Sequence, residues 1–245
     1  MAARRPIRRQ ERAAIDTGIK QPIFAVDGKT LRRSHDRRSG LGALRSVSVW
    51  ASEYGISLGQ VSTDEKRNEI TAIPEQLKLV DIRGAIITID ATGTQESIAQ
   101  QVVQSKADYV LALKGNQGKL HQAAISYIEE QAGNDFANVT VRRHTSEEQG
   151  HGREETRYYA QLPVPKHLPR LKLWVVMLVR GRGDQETIET RYYISSLSLD
   201  VKRFARAVRG HIGASRTVTT GAWTSPTVRM NRESATRICE RTAPG

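Results

Sequence analysis

The sequence predicts an α/β fold in which a mixed sheet is flanked by helices, in one domain that carries an insertion. In the middle of the chain, short apolar runs alternate with stretches of helical period. This order implies parallel strands joined by right-handed crossovers. Nearer the N-terminus, three predicted strands are joined by short connections, which favours an antiparallel meander. Together the two patterns predict a mixed sheet.

The meander comprises the first predicted elements. Its strands are expected over residues 23–26, 44–50 and 56–61, with Tyr54-Gly55 as a turn between the last two. A helix should then begin at Asn68 or Glu69, because apolar residues recur there at helical spacing.

The next stretch combines a strand, a turn and a helix. Gly84 to Asp90 is an apolar, β-branched run that ends on a carboxylate, and small residues lead from it into a helix over 94–105 with Thr94 as its N-cap. The segment from Pro22 to Asp27 repeats the pattern of an apolar strand that ends on aspartate. Ligands bind at the carboxyl ends of strands in open α/β sheets. Asp27 and Asp90 are therefore candidates to share Mg²⁺, although a strand-end aspartate is often only a turn former.

The remainder of the chain continues this pattern and then interrupts it. Residues 1–20 are arginine-rich and predicted to be a flexible basic arm, and residues after His211 have no apolar period and are predicted to be disordered. The elements expected between these ends are a strand over 108–114, a helix over 119–131, a polar, β-rich insertion at about 133–165, strands over 171–179 and 190–197, and a basic helix over 200–211.

Composition narrows the class of partner. The 245 residues carry a formal net charge of +12, which favours a polyanion such as nucleic acid, although charge can also serve solubility alone. No apolar run approaches the roughly 20 residues that span a bilayer, so no membrane partner is expected. The single cysteine, Cys239, excludes an intrachain disulfide and favours a reducing, cytosolic setting.

Several polar residues are candidates to contact DNA. Each has a plainer alternative, because lysines near strand ends are usually solvated, amides often cap helices and cations suit helix C-termini. The His151–Arg157 cluster is predicted to lie on a loop, either solvated or in contact with DNA. The candidates are Lys29, Lys114, Asn116, Gln117, His151, Arg153, Arg157, Arg209 and His211.

Other catalytic classes find no support in the sequence. It contains no Gly-x-Ser-x-Gly nucleophile motif, no Gly-x-x-x-x-Gly-Lys phosphate loop and no dinucleotide-binding glycine pattern.

An ordered set of short motifs resembles one family of transposases. They run from Phe24-Ala-Val-Asp-Gly-Lys-Thr-Leu-Arg32 through the Asp90 strand and Ala107–Gln117 to His151-Gly-Arg153 and Arg191-Tyr-Tyr-Ile-Ser-Ser196. Together they are similar to the ISAs-type insertion-sequence transposases, which include the H-repeat-associated proteins. The resemblance covers roughly residues 22–211 and implies a ribonuclease-H-like DDE core over 21–211. Asp27 and Asp90 would be its first two Mg²⁺ ligands, with Mn²⁺ as an alternative metal.

The end of the chain departs from that family. Its motif continues Arg-x-His-Trp-x-Ile-Glu-Asn and supplies the third ligand, whereas here Arg209-Gly-His211 is followed by Ile212-Gly-Ala-Ser215, with serine at the glutamate position. Codons for residues 212–221 permit a shifted frame that restores Trp-Gly-Ile-Glu-Asn. We therefore expect residues 212–245 to be a frameshifted tail.

The resemblance implies metal-dependent cleavage and strand transfer at insertion-sequence ends. The expected partner is double-stranded DNA at those ends and in the target, in a bacterial cytoplasm, with a homodimer left open. Without the third carboxylate, this copy is expected to be inactive. The alternatives are a non-catalytic DNA-binding remnant or regulator, or a nuclease that recruits Glu65 or Glu69.

Overall fold

The computed structural model describes residues 21–30, 45–63, 69–150, 153–163, 172–182 and 185–218. The chain divides into two compact units. The first comprises Met1–Leu111 and Ala207–Gly221, and the second comprises Ala112–Arg206 and Ala222–Gly245.

The first unit contains a mixed sheet. Its strands are β1 (Ile23–Thr30), β2 (Arg45–Ala51), β3 (Ile56–Thr63), β4 (Ile86–Ile89) and β5 (Asp108–Leu113) up to Leu111, in the order β3-β2-β1-β4-β5. The first three form an antiparallel meander, while β4 runs parallel to both β1 and β5. This order confirms the predicted mixed sheet of a ribonuclease-H-like fold.

Burial explains why the parallel strands lie at the centre of this sheet. Every residue of β4 is buried, as are Ile23, Phe24, Ala25 and Val26 of β1. Parallel strands covered on both faces need such continuous apolar runs rather than alternation. β1 continues past its predicted end at Val26 to Thr30, because β2 still pairs with it there.

Two helices belong to the first unit in full, α1 (Glu69–Leu79) and α2 (Glu96–Gln104). Helix α1 lies close against β3: a Cβ atom added at Gly59 would come within 2.3 Å of the Gln76 amide nitrogen. Gln101 of α2 donates a hydrogen bond to the Pro74 carbonyl of α1. α1 therefore covers one face of the sheet, with α2 bonded to it.

The second unit contains a 3₁₀ turn at Gly115–Gln117, helix α3 (Gly118–Gly133) and four antiparallel strands. The polar insertion forms long strands where the sequence predicted short ones around a loop, because pairing with their neighbours offsets their lack of apolar alternation. The strands, each paired with the next, are β6 (Arg142–Gly150), β7 (Arg153–Leu162), β8 (Lys172–Arg182) and β9 (Gln185–Ser195).

The last helix, α4 (Val201–Val218), contributes its residues up to Arg206 to the second unit and the others to the first. The sequence placed its end at His211, which is too early. Extending an existing helix adds a hydrogen bond for each residue fixed, so Gly213–Val218 can continue it without an apolar period. The predicted arm over 1–20 and the remaining tail over 219–245 lie outside the described residues. None of the helices in the described ranges is long and apolar enough to cross a membrane.

Candidate active site

Asp27 and Asp90 are neighbours across the parallel pair of strands β1 and β4. The register pairs Val26 with Ile89, and the two aspartates are the next residues along each strand. Both side chains are half-buried. The two residues, 63 positions apart in the sequence, thus follow paired positions on adjacent parallel strands.

The turn after β4 holds the Asp90 carboxylate through neutral donors. The Thr92 and Gly93 amides donate to Asp90 Oδ1 at 3.1 and 3.3 Å, and the Thr92 hydroxyl donates to Oδ2 at 3.3 Å. An ionised carboxylate has about four lone-pair sites, so these bonds leave acceptor capacity for a cation.

The sequence predicted Thr94 as the N-cap of the helix, but Thr94 instead closes the turn after β4. Its hydroxyl donates to the Asp90 carbonyl at 3.1 Å, and the N-cap of α2 is Gln95, whose side chain makes no cap bond. The Asp90 carbonyl lies within reach of Thr94 because the turn is tight, so that bond replaces the cap.

Gly93 is required by this turn for lack of space. A Cβ atom at Gly93 would lie 2.5 Å from both Ile73 Cδ1 of α1 and Ile89 Cγ2 of β4. Any larger residue must push one of these buried side chains aside. Only glycine fits at position 93 without displacing Ile73 or Ile89, so the packing of these two residues fixes the turn that follows Asp90.

His211 lies against the carboxylate side of the sheet. Its Nδ1 is 3.1 Å from the Thr88 hydroxyl of β4. Side chains two residues apart on a strand point to the same face, so Thr88 and Asp90 share a face. Ile73, by contrast, flanks Ile89 on the opposite face. Helix α4 therefore lies on the carboxylate face and α1 on the other.

The remaining candidates of the first unit are less informative. Lys29 lies in β1 opposite Ser46, and its side chain is outside the described set. Arg209 is half-buried in α4. Glu69 begins α1, on the opposite face from the aspartates, and Glu65 is outside the described residues.

Lys114, Asn116 and Gln117 belong to the second unit, where Lys114 is the N-cap of the 3₁₀ turn before α3 and the other two lie in that turn. The Lys114 amide donates to the Gln117 side-chain oxygen at 3.1 Å, so Gln117 acts as a cap. Asn116 is exposed. Gln117 thus caps the 3₁₀ turn, which is the simpler of the two roles that the sequence allowed for it. Asn116 faces solvent.

The His151–Arg157 cluster is arranged differently from the predicted loop. His151 lies outside the described residues, and Arg153 pairs with Gly150 at the start of β7. Arg157 is within β7, 1% exposed, and forms ion pairs with Glu148 and Glu155. Its guanidinium is turned inward and neutralised, which corrects the expectation of a DNA-facing arginine.

The sequence patterns did not single out Thr88, Thr92 or Gly93 as neighbours of the aspartates. A signal for Thr88 exists, because it is the one polar residue inside an otherwise aliphatic strand and lies two positions before Asp90. The role of Gly93 depends on the distant Ile73, which local sequence cannot reveal.

The donor set fits part of a magnesium site. Mg²⁺ prefers oxygen ligands and is commonly held by one or two carboxylates together with water and substrate phosphates. Asp27 and Asp90 provide two such carboxylates, at the positions that follow the paired residues Val26 and Ile89. Within the described ranges, however, no group of three or more His, Cys, Asp or Glu side chains could hold a metal ion. The family's third ligand is therefore not found among those residues.

Comparison with known proteins identifies the family. The family described as Transposase DDE domain matches residues 18–214. The chain is 43% identical over 200 residues to "Putative transposase YncI" of Escherichia coli O157:H7, an alignment that covers 77% of this chain and 50% of that protein. It is 38% identical over 201 residues to "H repeat-associated putative transposase YhhI" of Escherichia coli strain K12, covering 77% and 52%.

A third relative, "Uncharacterized protein in dhlA 3'region" of Xanthobacter autotrophicus, is 39% identical over 187 residues, covering 72% of this chain and 61% of its own. The chain spans about half the length of the first relatives it matches. The extent of these matches shows that the chain belongs to the DDE transposase family, in its H-repeat-associated group.

Proposed function

We propose that this chain is the core of a transposase that cleaves and joins phosphodiester bonds at insertion-sequence ends, with Asp27 and Asp90 as ligands of Mg²⁺ or Mn²⁺. The observation that carries the proposal is the register of β1 and β4, which makes the two aspartates neighbours. The family supports DNA transposition in general terms. The substrate is double-stranded DNA in the bacterial cytoplasm, and a homodimer is compatible with the proposal.

The chemistry divides between the metal and the chain. When bound, a divalent ion would supply activation of the attacking oxygen and stabilisation of the leaving one in phosphodiester transfer. Asp27 and Asp90 would hold that ion, and the Thr92 and Gly93 amides hold the Asp90 carboxylate in place. Lys29 and Arg209 of the first unit, and Lys114, Asn116, His151 and Arg153 of the second, supply candidate phosphate contacts, because most protein–DNA hydrogen bonds go to the backbone.

This copy lacks the carboxylate that completes the site. Residue 215 lies in α4, where the family has glutamate, and here it is serine. A serine hydroxyl is neutral and holds Mg²⁺ less firmly than a carboxylate does. We therefore propose that the chain binds DNA without cutting it, as a consequence of a frameshift near codon 212.

The second candidate function is a non-catalytic DNA-binding remnant or regulator. The net charge of +12 and the missing ligand favour it for this copy. It predicts DNA binding that weakens steeply with salt, because bound cations release counterions from the phosphates.

A cleavage assay distinguishes these functions. The chain, Ser215→Glu and Ser215→Glu/Asp90→Ala would be incubated with DNA carrying the element's ends, with and without Mg²⁺. We expect all three to bind DNA with similar affinity and only Ser215→Glu to cut it. Cleavage by the unaltered chain would refute the proposed inactivity, and loss of DNA binding by all three would refute the function.

Sequencing the gene tests the frameshift separately. The shifted frame from codon 212 should encode Trp-Gly-Ile-Glu-Asn, and any other sequence there removes this explanation for Ser215.

A further inference from the structure

Strand β6 lies at an edge of the sheet in the second unit. It pairs with β7 along its full length, and among the described strands none pairs with its other side. The outer side of an edge strand carries backbone N–H and C=O groups that can pair with another strand. An added strand gains affinity from those hydrogen bonds and specificity from the side chains that it places opposite each other. The side chains of β6 therefore indicate which strand fits there.

The charges of β6 are arranged symmetrically about Thr145. Arg142 and Arg143 lie three and two positions before it, so the first half of the strand is positive. Glu147 and Glu148 lie two and three positions after it, so the second half is negative. When two antiparallel copies pair with residue 145 opposite itself, each arginine lies directly opposite a glutamate. The pairs are Arg142 with Glu148 and Arg143 with Glu147. A second copy of β6 is thus complementary to the first.

Other pairings of two β6 strands lose this match. A parallel pair in register would place arginine opposite arginine and glutamate opposite glutamate, and like charges directly opposite are destabilising. An antiparallel shift by one position would turn the paired side chains to opposite faces of the sheet. With residue 144 or residue 146 at the centre, no arginine lies opposite a glutamate. Opposite charges therefore select one register.

The four charged side chains are available for this pairing. Arg142 and Glu147 are exposed, and neither makes an ion pair with another residue that the structure describes. Arg143 lies over the Phe136 ring at 5.0 Å, and Glu148 pairs with the buried Arg157. Both remain partly exposed, and a guanidinium or a carboxylate can hold more than one contact. A second copy would thus add contacts without breaking these.

The residue at the centre provides a second observation. The Thr145 hydroxyl oxygen is buried and makes no hydrogen bond with any described residue. A buried hydroxyl without a hydrogen bond costs free energy. In this register the partner's Thr145 lies directly opposite, with about 4.5–5.5 Å between the Cβ atoms, and threonines paired in this way hydrogen-bond to each other. A rotation about the Cα–Cβ bond would let the two hydroxyls bond.

We propose that two copies of the chain associate through β6, as an antiparallel strand pair with Thr145 on the two-fold axis. Such an interface is isologous, because both copies contribute the same residues. One pair of strands buries less surface than a standard interface, so the dissociation constant should lie above about 1 µM. Unfolding measured in dilute solution is then that of the monomer. The proposal is independent of the metal site and of DNA cleavage.

A plainer role for these charges is to keep the edge of the sheet from pairing at all. That role requires no symmetry about Thr145, and it predicts a monomer at every concentration. It also predicts no preferred position for cross-linking between copies. The two roles therefore differ in the concentration dependence of the mass and in the register of any contact.

Disulfide formation between copies tests the register. Thr145→Cys and Glu147→Cys would each be made in the full chain with Cys239→Ser and oxidised at high protein concentration. Cysteines at 145 would face each other at a Cα separation that suits a disulfide. Cysteines at 147 would lie four positions, about 14 Å, apart along the strands.

We expect linked dimers from Thr145→Cys and few from Glu147→Cys, although residue 147 is the more exposed of the two. Random collision would instead link the more exposed position at least as readily. Equal linking of the two variants, or more from Glu147→Cys, would therefore overturn the proposed interface.

Sedimentation equilibrium from micromolar to millimolar concentration tests the charges. The unaltered chain would be compared with Arg142→Glu and with Lys119→Glu, which makes the same change of charge at an exposed position of α3. Arg142→Glu places a glutamate opposite Glu148 twice in each dimer, so its dissociation constant should rise about 10-fold. Lys119→Glu should leave the constant unchanged, and circular dichroism would verify that both variants fold. A chain that stays monomeric throughout, or a dimer that tolerates both variants equally, would contradict the proposal.

Discussion

The two units treat their carboxylates in opposite ways. In the first, Asp90 is held by the Thr92 and Gly93 amides, which are neutral donors. In the second, Glu148 and Glu155 form ion pairs with Arg157, which is 1% exposed. The amide donors of Asp90 carry no net charge, whereas the guanidinium of Arg157 is a cation that pairs with its glutamates. Whether a carboxylate can bind a cation thus depends on its hydrogen-bond or ion-pair partner as well as on its residue type.

The same arrangement recurs at Arg191 in β9. Its Nε lies 2.8 Å from Glu189 Oε1, and both side chains are largely buried. Burial would lower the pKa of Arg191, but the neighbouring Tyr193 and Glu189 outweigh it and the pKa is raised. Among the described side chains of the second unit, Arg157 and Arg191 thus each pair with glutamate, in contrast to Asp90 of the first unit.

The largest effect should come from removing the buried arginine. Arg157→Met keeps much of the side-chain volume but removes the ion pairs with Glu148 and Glu155. We expect a loss of about 3 kcal/mol in the free energy of unfolding, measured with urea, because removing one partner of a buried ion pair is strongly destabilising. Arg142→Ala, at an exposed position of β6, should change it by less than about 0.5 kcal/mol. Equal effects for the two variants would contradict the contrast between the units.

An intermediate effect should follow from crowding the Asp90 turn. Gly93→Ala forces a methyl group against Ile73 and Ile89, at a cost of about 1–3 kcal/mol. The same change should weaken metal binding, because the turn that holds Asp90 must shift. Gly115→Ala is the matched control, since nothing lies within 4 Å of its Cβ position. Unchanged stability of Gly93→Ala would show that the turn is held less tightly than the packing indicates.

The smallest effect should be a loss of stability in acid. Burial lowers the pKa of His121 and of His144, with Lys202 contributing at His144. Between about pH 7.5 and about pH 5.5, across the ordinary histidine pKa, the unfolded chain therefore takes up protons that the folded chain does not. Stability should fall as the pH falls through this window.

The double variant His121→Gln/His144→Gln checks that assignment. Its urea midpoint should decrease less than that of the unaltered chain over the same pH range. An equal decrease would assign the acid sensitivity to other groups.

Local patterns in the sequence predicted the part of the fold that forms the site. The apolar runs before Asp27 and Asp90 indicated two buried strands that each end on aspartate. That these two strands pair in parallel, with Val26 opposite Ile89, is a long-range feature that the local patterns do not contain. The role of the two aspartates as metal ligands remains a prediction.

The parts that sequence could not predict depend on distant partners. The strand β6, Arg142–Gly150, has no apolar alternation, and its structure comes from pairing with β7. Arg157 resembled a solvated loop residue because the glutamates that neutralise it are recognisable only after that pairing. The bond between His211 and Thr88 spans 123 positions, and no local pattern encodes it.

The two aspartates differ in the strand pairing around them, and this difference affects their local dynamics. Asp27 lies where β1 is still paired with β2, opposite Ser48, whereas Asp90 follows the last residue of β4. Local opening of the backbone should therefore be rarer at Asp27 than at Asp90. The Asp27 amide should accordingly exchange with deuterium more slowly than the Asp90 amide. In the proposed metal site, Asp27 would then be the fixed carboxylate and Asp90 the one that adjusts to an incoming ion.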